Sequence, residues 1–370
     1  LSNPSNELLY TIALNSIKGV GAVMAKNLIA YCGSAEQVFN TSKHKLGKIP
    51  MMGTERADWV ANADVLKEAE AELKFIEKNS ITPLVFTQPE FPKRLRDCSD
   101  SPILLYYKGN ADLNTAKTVG IVGTRRATDY GKELTKKLVA DLATHDVLIV
   151  SGLAYGIDIT AHQAALDNQL KTLGVVAHGL NLIYPAQHSN TAKKMESQGG
   201  ILTEYNSTHE MHPSNFPMRN RIVAGLCDAM VVVESKEEGG ALITASLASS
   251  YNRDVFAFPG RTIDKSSMGC NKLIKQNKAA MIENANDLLE AMNWNMDPNK
   301  KPKPQRQLFL TLSDDENVIH QLLSEKEEME IDELAFKSNF SSGALAGILL
   351  EMEMNGVIVM LPGKRYKLIN

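Results

Sequence analysis

Two glycine-rich turns carry the residue types of a phosphate site. Gly123-Thr124-Arg125-Arg126 follows the β-branched run at 118–122, and Ser151-Gly152-Leu153-Ala154-Tyr155-Gly156-Ile157-Asp158 follows the run at 147–150. Each precedes a helical pattern. A strand that turns through glycine into a helix leaves backbone N–H groups and the positive end of the helix dipole facing the crevice, where an anion binds. Arg125 and Arg126 could add a bidentate, charge-assisted contact to a phosphate held by those amides, or stand as surface or salt-bridged arginines. Asp158, just inside the second helix, reads as structural, accepting from the turn's own amides.

Two further segments belong with these. In Phe216-Pro217-Met218-Arg219-Asn220-Arg221, two arginines bracket an asparagine at a helix start; one is expected to face an anion and the other a carboxylate, in an order the sequence does not fix. Glu238-Gly239-Gly240-Ala241 again lies between a strand and a helix, and its glycines permit close backbone approach to a ligand. The candidate phosphate contacts in these turns are Gly123, Thr124, Arg125, Arg126, Ser151, Gly239 and Gly240.

Other chemistries lack their signatures. No G-x-G-x-x-G follows the first strand of this series and no G-x-x-x-x-G-K-[ST] occurs, which argues against a dinucleotide site and an ATPase. Ser151 is not set in G-x-S-x-G. The histidines have no metal-ligand spacing, and the four cysteines are scattered, so neither a metal site, a cofactor nor a disulfide framework is expected. Scattered free cysteines fit a reducing cytoplasm. No apolar run approaches the roughly 20 residues that span a bilayer.

The elements that must position these turns follow from periodicity. Residues 1–75 read as short helices (6–16, 20–31, 35–39 and 55–74), with Ile17-Lys18-Gly19-Val20-Gly21 resembling a helix-hairpin-helix turn; the plainer reading is a helical domain using glycine for a tight turn. From 76 to 294 the pattern is strand, helix, strand, helix. Expected strands at 84–86, 103–107, 118–122, 147–150, 172–177, 201–204, 229–234 and 255–258 are short and apolar on both faces, as in a mostly parallel, doubly wound α/β sheet of extended Rossmann type. Residues 295–307 are polar and rich in Pro and Lys, a linker. Residues 308–370 read as three helices (316–323, 331–337, 342–354) and a hairpin (357–361, 365–369), which resembles a winged helix.

Charge narrows the function. The net charge is −3, and residues 117–290 carry 18 Lys+Arg against 18 Asp+Glu, so any polyanion must be held by local placement of cations. Residues 306–370 carry 6 Lys+Arg against 11 Asp+Glu; an acidic winged helix is repelled by duplex phosphates, which favours a protein-contact or regulatory role.

Taken in order, Gly123-Thr-Arg125 with Tyr130-Gly131, Ser151 to Asp158, Tyr184-Pro185, Phe216-Pro-Met-Arg-Asn-Arg221, Gly239-Gly-Ala-Leu-Ile-Thr-Ala245, Phe258-Pro-Gly260 and Gly269-Cys-Asn-Lys-Leu-Ile274 resemble the DNA-processing protein A (DprA/Smf) family of bacteria over roughly 170 residues. The resemblance implies a non-catalytic, cytoplasmic protein that binds single-stranded DNA, forms a homodimer and loads the RecA recombinase in natural transformation. It implies Arg125 and Lys171 as the main phosphate-contacting cations, with Arg126, Gly152, Gly156, Asn220 and Arg221 as secondary contacts from the same pocket. Glu238 stands where Ser is common in the family, and His178 where a small residue is usual. The rival reading is a nucleotide phosphoribohydrolase of the lysine-decarboxylase-like (LOG) family, whose Gly-Gly-x-Gly-Thr-x-x-Glu places Leu242, Ile243 and Ser246 where Gly, Thr and the catalytic Glu are required.

Overall fold

Apolar residues alternate between two cores along each central strand. In the strand Thr118–Gly123, Val119 and Ile121 pack on one face and Val122 on the other; in Leu148–Ser151, Ile149 opposes Leu148 and Val150; in Ala229–Glu234, Val231 and Val233 oppose Met230 and Val232. A strand buried on both faces shows no polar alternation, which is why these segments read as continuous apolar runs. The computed structural model describes residues 4–61, 64–295 and 312–369.

Nine strands form one sheet: β1 (Thr82–Val85), β2 (Leu104–Gly109), β3 (Thr118–Gly123), β4 (Leu148–Ser151), β5 (Thr172–Val175), β6 (Gly199–Thr203), β7 (Ala229–Glu234), β8 (Asp254–Ala257) and β9 (Ala280–Met281). Their order is β1-β2-β6-β5-β4-β3-β7-β8-β9. β1 with β2 and β2 with β6 are antiparallel, and every other pair is parallel. The chain winds outward from β3 through β4, β5 and β6, then returns to lay β7 against the other side of β3. That reversal is the topological switch point of a doubly wound sheet, and ligands bind there, beyond the carboxyl ends of the strands. The two-residue β9 carries too short a pattern to stand out in the sequence.

The helices of the amino-terminal part bury Ile12, Leu14, Leu28, Val38, Val60 and Ile76 in a core that also takes Ile103, Leu104 and Tyr106 from the sheet edge. The segment read as one helix over 55–74 is two, Gly53–Ala61 and Leu66–Lys78; Asp64, just before the second, is a residue type that competes with helical hydrogen bonding. A short helix at Lys43–Leu46 was not expected. At the hairpin-like turn, Gly19 has the Trp59 ring against it and Lys18 is exposed.

The carboxyl-terminal part is a winged helix. Helices Asp314–Glu325, Ile331–Ser338 and Ser342–Met354 pack Ile319, Leu323, Leu334, Leu345 and Leu349 against a small sheet of β10 (Met329–Glu330), β11 (Ile358–Leu361) and β12 (Arg365–Leu368). Ser313 and Glu316 form a reciprocal capping box that starts the first helix. The expected linker at 295–307 lies outside the described residues, apart from Asn295. No described helix is long and apolar enough to cross a membrane.

Candidate functional site

The cleft at the switch point is built by the loops that leave β3 and β7. Glu234, the last residue of β7, fixes the β3 loop at both ends. Its carbonyl accepts from the Thr124 amide at 2.7 Å, and its buried carboxylate accepts from the Thr128 amide at 2.9 Å and the Thr128 hydroxyl at 2.6 Å. Thr128 in turn caps the helix Asp129–Leu142 by accepting from the Gly131 amide at 3.1 Å. The four residues from Thr124 to Ala127 are thus held as an arch that presents Arg125 and Arg126 to solvent.

Gly156 supports the arch from below. It has φ of +78°, and a Cβ there would stand 2.1 Å from the Thr124 carbonyl oxygen, so only glycine lets the β4 loop pass beneath Arg125.

A cleft of about 360 Å³ opens between these loops, lined by Arg125, Arg126, Lys236, Asn220, Gly239 and Gly240 among others. Gly239 is the N-cap of the helix Gly240–Ser250 and has no side chain to consume that helix's first amides. Cations and a helix start without a side-chain cap share this lining with the Glu238 carboxylate, an arrangement that can hold an anion against the glycine amides. Arg219, which also lines the cleft, is buried and donates to the Gly152 and Val175 carbonyls. Burial lowers its pKa to about 10; the Asp158 carboxylate opposes that shift and, more weakly, the Arg125 charge adds to it.

A second hollow of about 80 Å³ adjoins the first and shares Arg125, Ala154 and Arg219 with it. Its walls are aromatic: Tyr155, Tyr184 and Phe216, with Tyr184 and Phe216 ring centroids 5.9 Å apart. His178 sets this wall. Its Nε2 accepts from the Tyr184 amide at 3.1 Å while Nδ1 pairs with the Gly179 carbonyl at 2.9 Å, a pattern that requires the neutral ring, and burial lowers its pKa accordingly.

The structure places the expected residues unequally. Gly123, Thr124, Arg125, Arg126, Asn220, Gly239 and Gly240 line the cleft, and Gly152 lines the aromatic hollow. Ser151 does not: it is buried, and its hydroxyl donates to the Ile121 carbonyl at 2.6 Å. Arg221 is the carboxylate-facing arginine, buried and paired with Glu204 and the Asp100 carbonyl. Asp158 accepts from the Gly152 and Ala154 amides at 3.1 and 3.3 Å, the structural role read for it.

Lys171 is separated from Arg125 by the sheet itself. It leads into β5, whereas Arg125 follows the far end of β3, and β3, β4 and β5 run parallel. Strand entrances share one edge of a parallel sheet and strand exits the other, so the four residues of β5 put roughly 13 Å between Lys171 and the cleft edge. Lys236 supplies the cation on the cleft edge instead. Its position directly after β7 was the available signal. Tyr184 and Phe216 were visible as motif residues, but nothing local shows that a loop and a helix start some 30 residues apart bring their rings together.

A mostly parallel α/β sheet with cations, helix starts and exposed rings at its switch point, joined to a winged helix, defines a Rossmann-like DNA-binding class. The chain belongs to the DNA recombination-mediator protein A family, whose model matches residues 82–293, and the model of the DprA winged helix domain matches residues 300–364. It is 30% identical to Protein Smf of Synechocystis over 98% of this chain and 99% of that protein. It is 39% identical to DNA processing protein DprA of Streptococcus pneumoniae over 54% of this chain and 70% of that one. The X-ray structure of the Streptococcus pneumoniae DprA superimposes with a TM-score of 0.64 at 30% identity, covering 78% of this chain and 98% of that one. A structure describing the single-stranded DNA binding mode of DNA processing protein A from Helicobacter pylori superimposes with a TM-score of 0.53 at 30% identity, covering 59% of this chain and 97% of that one.

Proposed function

We propose that this protein binds single-stranded DNA across the switch-point edge of its sheet and hands it to a RecA-type recombinase without altering it, in natural transformation. The observation that carries the reading is the junction of two unlike hollows at Arg125: an anion cleft of cations and helix-start amides, and beside it a small aromatic wall. That combination suits one backbone phosphate with its unstacked base, and a base inside a duplex does not reach such a wall. The related Helicobacter pylori protein with its single-stranded DNA binding mode supports the same direction.

In this proposal the chain divides into a helical unit (1–75), a DNA-binding sheet unit (76–294), a linker (295–307) and a winged-helix unit (308–370), and acts as a homodimer in the cytoplasm. The hydrolase alternative is disfavoured by the helix Gly240–Ser250, which carries Ser246 and no carboxylate where that chemistry needs one.

Fluorescence anisotropy with labelled single-stranded and duplex oligonucleotides at two salt concentrations tests the reading. Single strands should bind more tightly, with affinity falling linearly in the logarithm of salt concentration. Equal affinity for both forms, or no salt dependence, would overturn it.

A further inference from the structure

A third hollow, of about 470 Å³, lies beyond the arch on the β8 side, lined by Thr128, Tyr130, Arg261, Asp264, Ser266 and Ser267 among others. Its residues follow the carboxyl ends of β3 and β8, so it opens on the same sheet edge as the other two. The aromatic hollow stands over β4 and β5, the anion cleft over β3 and β7, and this one beside β7 and β8. Three inter-strand spacings separate the first from the last, roughly 14 Å. Two stacked nucleotide steps cover only about 7 Å. A strand engaging all three hollows is therefore splayed, with its bases held apart.

The chemistry of this hollow differs from that of the anion cleft. The Tyr130 ring is half exposed and can serve as a stacking face. Arg261 is exposed on the rim. Asp264 faces the hollow with a carboxylate that forms no hydrogen bond or ion pair among the described residues, whereas the carboxylate of Glu234, which also borders it, is taken up by Thr128. An unpaired carboxylate repels phosphate and accepts from N–H donors, so the site suits a base edge, with the phosphate left to Arg261.

The loop is rigid enough to discriminate. The Asp264 amide donates to the Arg261 carbonyl at 3.0 Å and the Ser267 amide to the Asp264 carbonyl at 2.9 Å. Asn271 grips Gly260 from both sides, at 3.1 and 2.9 Å, and a Cβ on Gly260 would stand 2.1 Å from the Ser267 hydroxyl.

We propose that this hollow is a further nucleotide subsite, in which Tyr130 stacks on an unpaired base and Asp264 selects guanine through its Watson–Crick edge. Guanine alone offers two parallel donors there, N1–H and N2–H, matching the two oxygens of one carboxylate; thymine offers one N–H between two carbonyls. The inference rests on the single-strand reading above.

The test compares an oligothymidine with the same oligomer carrying one central guanosine, by anisotropy on the full chain. The wild type should bind the guanosine oligomer at least about fivefold more tightly. Asp264→Asn should abolish that preference while leaving the oligothymidine affinity in place, Tyr130→Ala should weaken both oligomers, and Tyr130→Phe should restore stacking. No guanosine preference in the wild type, or a preference that survives Asp264→Asn, would overturn the subsite. Arg125→Ala separates the two ideas: if it weakens binding while the Tyr130 and Asp264 variants do not, only the subsite fails; if Arg125→Ala has no effect on either oligomer, the single-strand reading itself fails.

Discussion

The Arg125 guanidinium carbon lies 5.3 Å from the centroid of the Phe216 ring, over its face. This contact joins a loop after β3 to the helix Asn215–Leu226, and so joins the anion cleft to the aromatic hollow. A cation held over a ring keeps its planar fork available at the ring's margin, where a phosphate attached to a stacked base would fall.

Arg125→Ala should weaken binding to single-stranded oligonucleotides by about 1–3 kcal/mol and reduce the salt slope by about one. Lys171→Ala should leave both unchanged, because its ammonium stands at the opposite edge of the sheet. Salt titrations of the two variants side by side check this; an equal loss in both would mean the strand path crosses the far edge.

Phe216→Ala should cost about 1–3 kcal/mol in affinity through lost stacking, with the salt slope retained since no charge is removed. Phe216→Tyr should bind almost as the wild type does. The pair separates a ring effect from a general loosening of the helix start.

Gly156→Ala should be harmful twice over. The substitution places a side chain at positive φ and drives it into the Thr124 carbonyl, so about 1–3 kcal/mol of stability should be lost in denaturant unfolding. The arch must also shift, which should reduce single-strand affinity at temperatures where the variant remains folded. A variant that binds normally would show that arch position does not matter.

His162 makes stability depend on pH. It is fully buried, its Nδ1 pairs with the Thr172 hydroxyl at 2.7 Å, and desolvation lowers its pKa to about 3. The unfolded chain takes up a proton near pH 6.5 and the folded one near 3, so the unfolded state binds more protons between those values. Stability is full above about pH 6.5 and declines as pH falls towards 3, by up to about 5 kcal/mol from this group. Urea unfolding at several pH values should show that slope, and His162→Gln should flatten it.

The turns could be read locally because their requirements are local. A strand leaving through Gly123-Thr124-Arg125 into a helix aims amides outward wherever it occurs. The two-sided apolar strands, the helical amino-terminal part and the three-helix-plus-wing pattern are likewise consequences of short-range periodicity. What periodicity missed was small or interrupted: β9, β10, the helix Lys43–Leu46 and the division of the 55–74 segment into two helices.

The amino-acid sequence by itself determined the family, the class of sheet and the Arg125 turn that could meet a phosphate, because motif, alternation and charge are properties of neighbouring residues. Only the tertiary structure decided which of those residues act together. Strand order put β7 against β3 and so brought Lys236 and Gly239 to Arg125, while it left Lys171 on the other edge. Burial then assigned the two arginines of one helix, giving Arg221 to Glu204 and Arg219 to the cleft. Pairings of this kind depend on separations in space between distant parts of the chain, which spacing along it does not encode.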